Sequence, residues 1–207
     1  MTAESERLLA EVEEIFGEHD DRTLLWRPND AKWSATGHLA HLCIVHDRYV
    51  ETIESQIDAA RARGRPVGDG PYRHPWFGRW FATSMEPPPK RRIRTFRAMI
   101  PDPAVGTDDT LERFRAVQAR LLGALDRARG LDLGRIRFSS PYAWFARLTL
   151  GTALALLVAH NRRHVWLIRE VLDQEGARGW EAAARTGEPG PRVGVAEPPD
   201  TDSTSFL

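Results

Sequence analysis

The feature that most constrains the fold is the stretch from residue 155 to residue 172, ALLVAHNRRHVWLIREVL. Its apolar residues recur every three to four positions, which predicts a long amphipathic α-helix. At about 100° per residue, one arc of roughly 120° collects eight side chains: Ala153, Leu156, Leu157, His160, His164, Leu167, Ile168 and Val171. Two histidines, one helical turn apart, therefore face the expected core.

The spacing of His160 and His164 places two nitrogen donors on one helix face, close enough to share a cation. Metal ions bind the neutral imidazole, and the second ring nitrogen stays available for a hydrogen bond. The alternative is a pair of core histidines, each of which would need its own buried partner. Two ligands do not complete a metal site, so the rest of the chain must supply a third.

A second long helix is predicted to start at Ser34, a good N-cap residue, and to run to Gly64. Its core-facing arc, roughly 120° wide, holds six side chains: His41, Val45, His38, Tyr49, Leu42 and Ile53. His46 lies just beyond the far edge of this arc. Periodicity alone leaves open which of His38, His41 and His46 would be a metal ligand.

The remaining pattern predicts an all-α protein. An apolar stripe over residues 5–19 and another from the Thr107–Asp109 region to Gly130 predict two further helices. Residues 64–106 are expected to form a long ordered loop with one helical turn and a further short helix within residues 91–103, and residues 131–150 to be irregular or extended. Four long helices imply a helix bundle spanning residues 1–180, followed by a flexible Pro/Gly/Ser-rich tail over residues 181–207.

Charge and composition narrow the function classes. The 29 basic and 29 acidic residues balance, whereas a dedicated nucleic-acid binder usually carries a basic excess. Cys43 is the only cysteine, so no internal disulfide can form. The N-terminus has no apolar core of a signal peptide, and the most apolar stretch, residues 148–158, is about half the ~20 residues of a membrane span. We expect a cytoplasmic protein that binds neither nucleic acid nor membrane.

The sequence resembles the DinB-like metal-binding helical bundles, which include bacillithiol and mycothiol S-transferases. A Trp-Ser pair opens the second helix with a histidine eight residues after the tryptophan, WSATGHLAH, and this spacing selects His41. The motif HNRRH supplies His160 and His164. The order of parts also agrees: a long proline-bearing loop follows the second helix, and PYAWFARLTLGTALALLVAH leads into the histidine pair. The resemblance covers roughly residues 5–175.

This resemblance implies an up-down-down-up four-helix bundle in which His41, His160 and His164 hold one divalent metal. Zinc is the first expectation, with nickel or iron as alternatives. The implied function is that of a metal-dependent thiol S-transferase, which joins a small electrophile to a low-molecular-weight thiol. Its expected partners are this small-molecule substrate and a second copy of the chain in a homodimer. His38 or His46 could replace or support His41. A hydrolase of the same fold and a non-catalytic metal-binding stress-response protein are the alternatives.

Other residues near the motifs carry weaker signals. Cys43 lies about 200° from His41 on the helical wheel, so packing is a better explanation than nucleophilic chemistry. Arg163 could meet an anionic substrate, although an exposed arginine paired with a helix neighbour is the simpler interpretation. Tyr142 and Trp144 could line a pocket, and packing is again the simpler role. No residue is an evident general acid or base.

Overall fold

The structure is a computed structural model, and it describes residues 1–64, 68, 76–88, 95–142, 147–174 and 177–179. Within these residues the chain is mostly helical, which confirms the all-α prediction. The predicted tail over residues 181–207 lies outside the described residues. The elements in chain order are α1 (Thr2–Glu18), α2 (Asp21–Leu25), α3 (Ala35–Ala62), α4 (Trp76–Ser84), a 3-10 helix (Arg97–Met99), α5 (Thr107–Arg127), β1 (Arg137–Ser139), β2 (Arg147–Thr149) and α6 (Leu150–Leu172).

Side-chain caps fix the starts of the two histidine-bearing helices. The Oγ of Ser34 accepts a hydrogen bond from the backbone N–H of Gly37 at 3.0 Å, which satisfies one of the free donors at the start of α3. Thr149 caps α6 in the same way, through the N–H of Thr152 at 3.3 Å. Gly64 and Gly130 follow the ends of α3 and α5 with φ of 57° and 76°, a conformation that favours glycine.

The helices α3 and α6 lie at the centre of the packing. α3 contacts both α5 and α6, and α1 contacts the same two helices. The buried side chains form two apolar clusters. One contains Tyr49, Ile53, Leu121, Phe138 and Leu154, and the other contains Leu8, Phe16, Leu39, Phe114 and Ile168. The histidine-bearing turns of α3 and α6 lie near the change from one cluster to the other.

A short antiparallel hairpin precedes α6, where an irregular or extended segment was expected. Strands β1 and β2 pair with Phe138 opposite Leu148, and both of these side chains are buried. The backbone N–H of Leu150 extends the pairing through a hydrogen bond to the carbonyl of Ile136 at 2.9 Å. Phe138 and Leu148 both belong to the first apolar cluster, so the hairpin contributes side chains to it.

The long loop after α3 is more helical than expected. α4 has nine residues, whereas the sequence indicated one helical turn for this part of the loop, and the 3-10 helix lies within residues 91–103, where a further short helix was expected. α4 packs on α6 through Gly78, where an added Cβ would lie 2.5 Å from Oγ1 of Thr152. Because glycine has no Cβ, the backbone of α4 can approach α6 this closely, which allows this aromatic-rich segment to pack against α6 as a helix.

No helix among the described residues combines the length and the apolar character that crossing a membrane requires.

Candidate metal centre

His41 is held in a defined orientation by the backbone. Its Nδ1 lies 2.8 Å from the carbonyl oxygen of Met99, in the 3-10 helix. A carbonyl oxygen only accepts, so Nδ1 carries the proton and donates it. In the neutral ring the lone pair is then on Nε2. Nε2 of His41 lies 3.4 Å from Nε2 of His160 on α6.

The structure brings His41, His160 and His164 together, and each can offer one nitrogen within 4.8 Å of the others. The ring centroids of His160 and His164 are 4.6 Å apart, and that of His41 is 4.7 Å from His164 and 5.2 Å from His160. We call these three residues the histidine triad. Two neighbouring helices supply them, which is the usual way that a helical bundle builds a metal site.

The surroundings favour neutral imidazoles in the triad. Burial lowers the pKa of His41, although the hydrogen bond to Met99 opposes this effect. Burial also holds the pKa values of His160 and His164 well below their usual range, and the neighbouring histidines add to the effect. Three neutral imidazole nitrogens that converge within 4.8 Å suit a divalent cation, because a metal ligand must be deprotonated.

His38 contacts the triad from the side. Its Nδ1 lies 3.1 Å from Nδ1 of His164, and the side chain is buried. Burial, and secondarily the neighbouring His41 and Lys32, lower the pKa of His38 to about 3, so the ring is neutral at pH 7. The structure therefore places His38 beside a triad histidine, one turn before His41, and outside the group of three converging nitrogens.

The indole of Trp33 covers the triad. Its ring centroid lies 4.8 Å from that of His41 and 6.3 Å from that of His164, and it meets His38 edge-on at 5.4 Å. Trp33 immediately precedes the N-cap Ser34, so the start of α3 determines where the indole lies.

A second set of polar side chains lies in the core. Of its three members, only His46 was a candidate from the sequence. Nε2 of Gln118 lies 3.4 Å from Nδ1 of His46, and Nδ2 of Asn161 donates to Oε1 of Gln118 at 2.9 Å. All three side chains are fully buried. We call them the polar layer. Gln118 occupies the apolar stripe of α5 between Phe114 and Leu121, and this interruption was the available sequence signal.

The polar layer adjoins the triad at His160. The rings of His46 and His160 are stacked with centroids 5.8 Å apart. Nε2 of His46 and Oδ1 of Asn161 are buried and have no hydrogen-bond partner in the part of the chain that the structure describes. Burial, together with His41, lowers the pKa of His46 to about 3.

Three further residues from the sequence analysis can be placed. Arg163 is buried rather than exposed, so its interpretation as a surface arginine is wrong, and burial lowers its pKa. The hydroxyl of Tyr142 donates to the carbonyl of Ile44 at 2.8 Å, which is a packing contact with α3. Cys43 is buried, and burial raises its pKa to about 12. Trp144 lies outside the described residues.

Trp33 lines two cavities. The first, of about 390 Å³, is lined by Trp33 together with Arg27, Ile100 and Val105. The second, of about 600 Å³, is lined by Trp33 together with Lys32, His38 and Trp166. No triad histidine lines either cavity, and His38 is the histidine that lines the second.

Comparison with known proteins identifies a family. No curated protein and no solved structure matches the chain. The sequence profile of the DinB superfamily matches residues 4–168, which contain all three triad histidines. The matched region is most of the chain, and it begins in α1 and ends in α6. The chain therefore belongs to the DinB superfamily.

Proposed function

We propose that this protein is a divalent-metal-dependent thiol S-transferase that joins a small electrophile to a low-molecular-weight thiol. The observation that carries the proposal is the histidine triad: His41, His160 and His164 offer nitrogens within 4.8 Å of one another on two packed helices. Membership of the DinB superfamily supports it, because the family resemblance in the sequence pointed to the same three residues.

A divalent ion held by the triad would supply positive charge that favours the thiolate, the nucleophilic form of a thiol, at neutral pH. Three ligands leave at least one coordination position open in a tetrahedral site. The triad would hold the ion, the carbonyl of Met99 would keep Nε2 of His41 directed at it, and Trp33 would exclude water from one side. Zinc is the first candidate, and nickel or iron are the alternatives.

Arg163 supports an anionic reactant. Its side chain is buried on α6 next to the triad, and its charge contributes to lowering the pKa of His160 and His164. A positive charge near the proposed ion would attract an anionic reactant, such as a thiolate or a carboxylate elsewhere on the thiol. We expect Arg163→Met to raise the KM for the thiol and Arg163→Lys to restore part of the affinity.

The hydrolase alternative has no buried carboxylate to serve as its base within the described residues, and the histidine beside the triad, His38, is engaged with His164 through Nδ1. A hydrolase needs a carboxylate or histidine within hydrogen-bond reach of the metal-bound water. None of the Asp and Glu side chains that the structure describes is buried. A non-catalytic metal-binding protein should enclose its ion, whereas His160 is only partly buried. Both observations favour the transferase.

Several finer features belong to the same proposal. We propose the up-down-down-up order for the four long helices, a cytoplasmic location and a homodimer. The partner is a small-molecule substrate with its thiol, and we propose no role in binding nucleic acid or membrane.

The experiment measures metal content and thiol consumption in the same preparations. Purified protein should contain about one equivalent of divalent metal, and His160→Ala should lose it. His19→Ala, which changes a histidine at the end of α1, is the matched control and should keep the metal. Consumption of mycothiol, bacillithiol, glutathione and cysteine is then followed with an electrophile such as 1-chloro-2,4-dinitrobenzene. Full metal retention in His160→Ala would rule out the site, and loaded protein that consumes no thiol would rule out the transferase.

A further inference from the structure

The contact between His38 and His164 constrains where their protons are. Their Nδ1 atoms lie 3.1 Å apart, within hydrogen-bond distance, and both rings are buried. A neutral imidazole has one N–H donor and one bare nitrogen acceptor. One of the two Nδ1 atoms must therefore carry a proton and the other must not.

The position of the triad decides which ring donates. Nδ1 of His164 is occupied by His38, so Nε2 is the atom of His164 that can face a metal ion. A nitrogen that binds a metal uses its lone pair, so the proton of a neutral His164 has to be on Nδ1. His38 must then accept at Nδ1 and carry its own proton on Nε2. The same logic holds for His41, whose Nδ1–H donates to Met99.

We propose that His38 is a positioning residue for the metal centre: it accepts a hydrogen bond from Nδ1–H of His164 and so presents Nε2 of His164 to the ion. This inference rests on the proposed metal site. The partners of metal-binding histidines are commonly carboxylates, backbone carbonyls or water, and their loss typically lowers metal affinity 10–100-fold. Here a neutral, buried histidine fills that role, one turn before His41 on the same helix face.

Local structure holds His38 in place independently of any ion. Its backbone N–H donates to the carbonyl of Ser34 at 2.9 Å in the first turn of α3, so its Cα is fixed by the cap. Trp33 meets the ring edge-on with centroids 5.4 Å apart. A contact fixed in this way orients His164 before the ion arrives, which reduces the ordering that metal binding would otherwise require.

The geometry also separates this role from that of a ligand. Nδ1 of His38 is already engaged with Nδ1 of His164. His38 lies outside the group of nitrogens that converge within 4.8 Å. A ligand role would require His38 to leave His164, which would then lose its hydrogen-bond partner.

The test compares zinc affinity in His38→Leu and His38→Asn with that of the wild type, by competition against a chromogenic chelator. His38→Leu removes the acceptor, and we expect affinity to fall 10–100-fold with one zinc still bound. His38→Asn can place its side-chain oxygen near the position of Nδ1 and should recover most of the affinity. His19→Leu is the control for removing a histidine elsewhere. Circular dichroism of each variant establishes that it is folded.

A second readout locates the proton directly. In the zinc-loaded wild type, proton–nitrogen NMR of the imidazoles should show a hydrogen-bonded proton on Nδ1 of His164 and a proton on Nε2 of His38. Unchanged affinity in folded His38→Leu, or a metal-bound nitrogen in His38, would overturn the positioning role while the metal site stands. Wild-type protein that binds no zinc would overturn both, and zinc binding without thiol transfer would remove only the transferase.

Discussion

His46 makes the stability of the folded protein depend on pH, and its burial sets the size of the effect. The ring is fully buried in the polar layer, and its pKa is lowered to about 3. In the unfolded chain the same ring has a pKa of about 6.5. Between these two values the unfolded chain binds a proton on His46 that the folded chain does not. The free energy of unfolding therefore falls as the pH falls below about 6.5.

The magnitude follows from the linkage relation. Each pH unit below the unfolded value costs about 1.4 kcal/mol per histidine, which amounts to about 2 kcal/mol at pH 5.0. At pH 7.5 the contribution is close to zero, because His46 is neutral in both states. His38, whose pKa is lowered to about 3 for the same main reason, adds a similar amount. These two histidines alone contribute about 4 kcal/mol at pH 5.0, a large share of the 5–15 kcal/mol that typically stabilises a domain. His41, His160 and His164, whose pKa values are also lowered, add to the effect in the same direction.

The assay is urea unfolding of wild type and His46→Leu at pH 7.5 and pH 5.0, with chelator present so that no metal contributes. The replacement leaves Gln118 without one partner, so the variant is expected to be less stable at pH 7.5. Its further loss between pH 7.5 and pH 5.0 should be smaller than that of the wild type by about 2 kcal/mol. Comparing each protein with itself cancels the packing cost.

Ile53→Val is the control, since it trims a fully buried side chain that does not titrate. It should cost about 0.5–1.5 kcal/mol at both pH values and leave the pH dependence unchanged. If wild type and His46→Leu lose the same free energy on acidification, His46 is not held neutral by burial and the reasoning fails.

Three other changes test separate features. Gly78→Ala should destabilise the protein by about 1–3 kcal/mol, because its Cβ would press on Thr152; Gly123→Ala, whose Cβ meets nothing within 4 Å, should instead raise the melting temperature. Equal shifts in the two variants would contradict the tight packing of α4 on α6. Cys43 should react with Ellman's reagent at pH 8 far more slowly in the native protein than in urea, because burial raises its pKa to about 12; fast native labelling would disprove this. Chelation of the metal-loaded protein should lower the melting temperature without unfolding it at 25 °C, through loss of about 2.7 kcal/mol when the free metal is about 100-fold above its Kd; an unchanged melting temperature would argue against a bound ion.

The sequence was most informative where a local rule determines the structure. Ser34 was expected to begin the second long helix as its N-cap, and it caps α3 through its own hydroxyl oxygen. The helical periodicity predicted that His41, His160 and His164 face the core. The spacing typical of the family predicted that these three residues form one site. Their role as metal ligands stays a prediction, although the structure brings the three nitrogens close together.

The sequence was least informative about contacts between distant parts of the chain. A helical wheel gives the direction of a side chain and says nothing of what faces it. His38 and His164 are 126 positions apart, and the acceptor for His41 is a backbone carbonyl that carries no side-chain signal. Arg163 was expected at the surface because arginine usually is, yet the packing around α6 buries it. Gln118 lies in the apolar stripe of α5, and its hydrogen bonds to residues of α3 and α6 were not predicted.

The polar layer also fixes the axial register of the helices, that is, how far each helix is shifted along its axis relative to the others. His46 on α3, Gln118 on α5 and Asn161 on α6 meet at one level of the core. Leucine-rich faces are interchangeable along a helix axis, and sliding by one turn, about 5.4 Å, would still bury hydrocarbon against hydrocarbon. The same slide would set the amide of Gln118 against aliphatic side chains with no hydrogen-bond partner. Because His160 stacks on His46, the polar layer holds α3 and α6 at the relative axial position where the nitrogens of the triad converge.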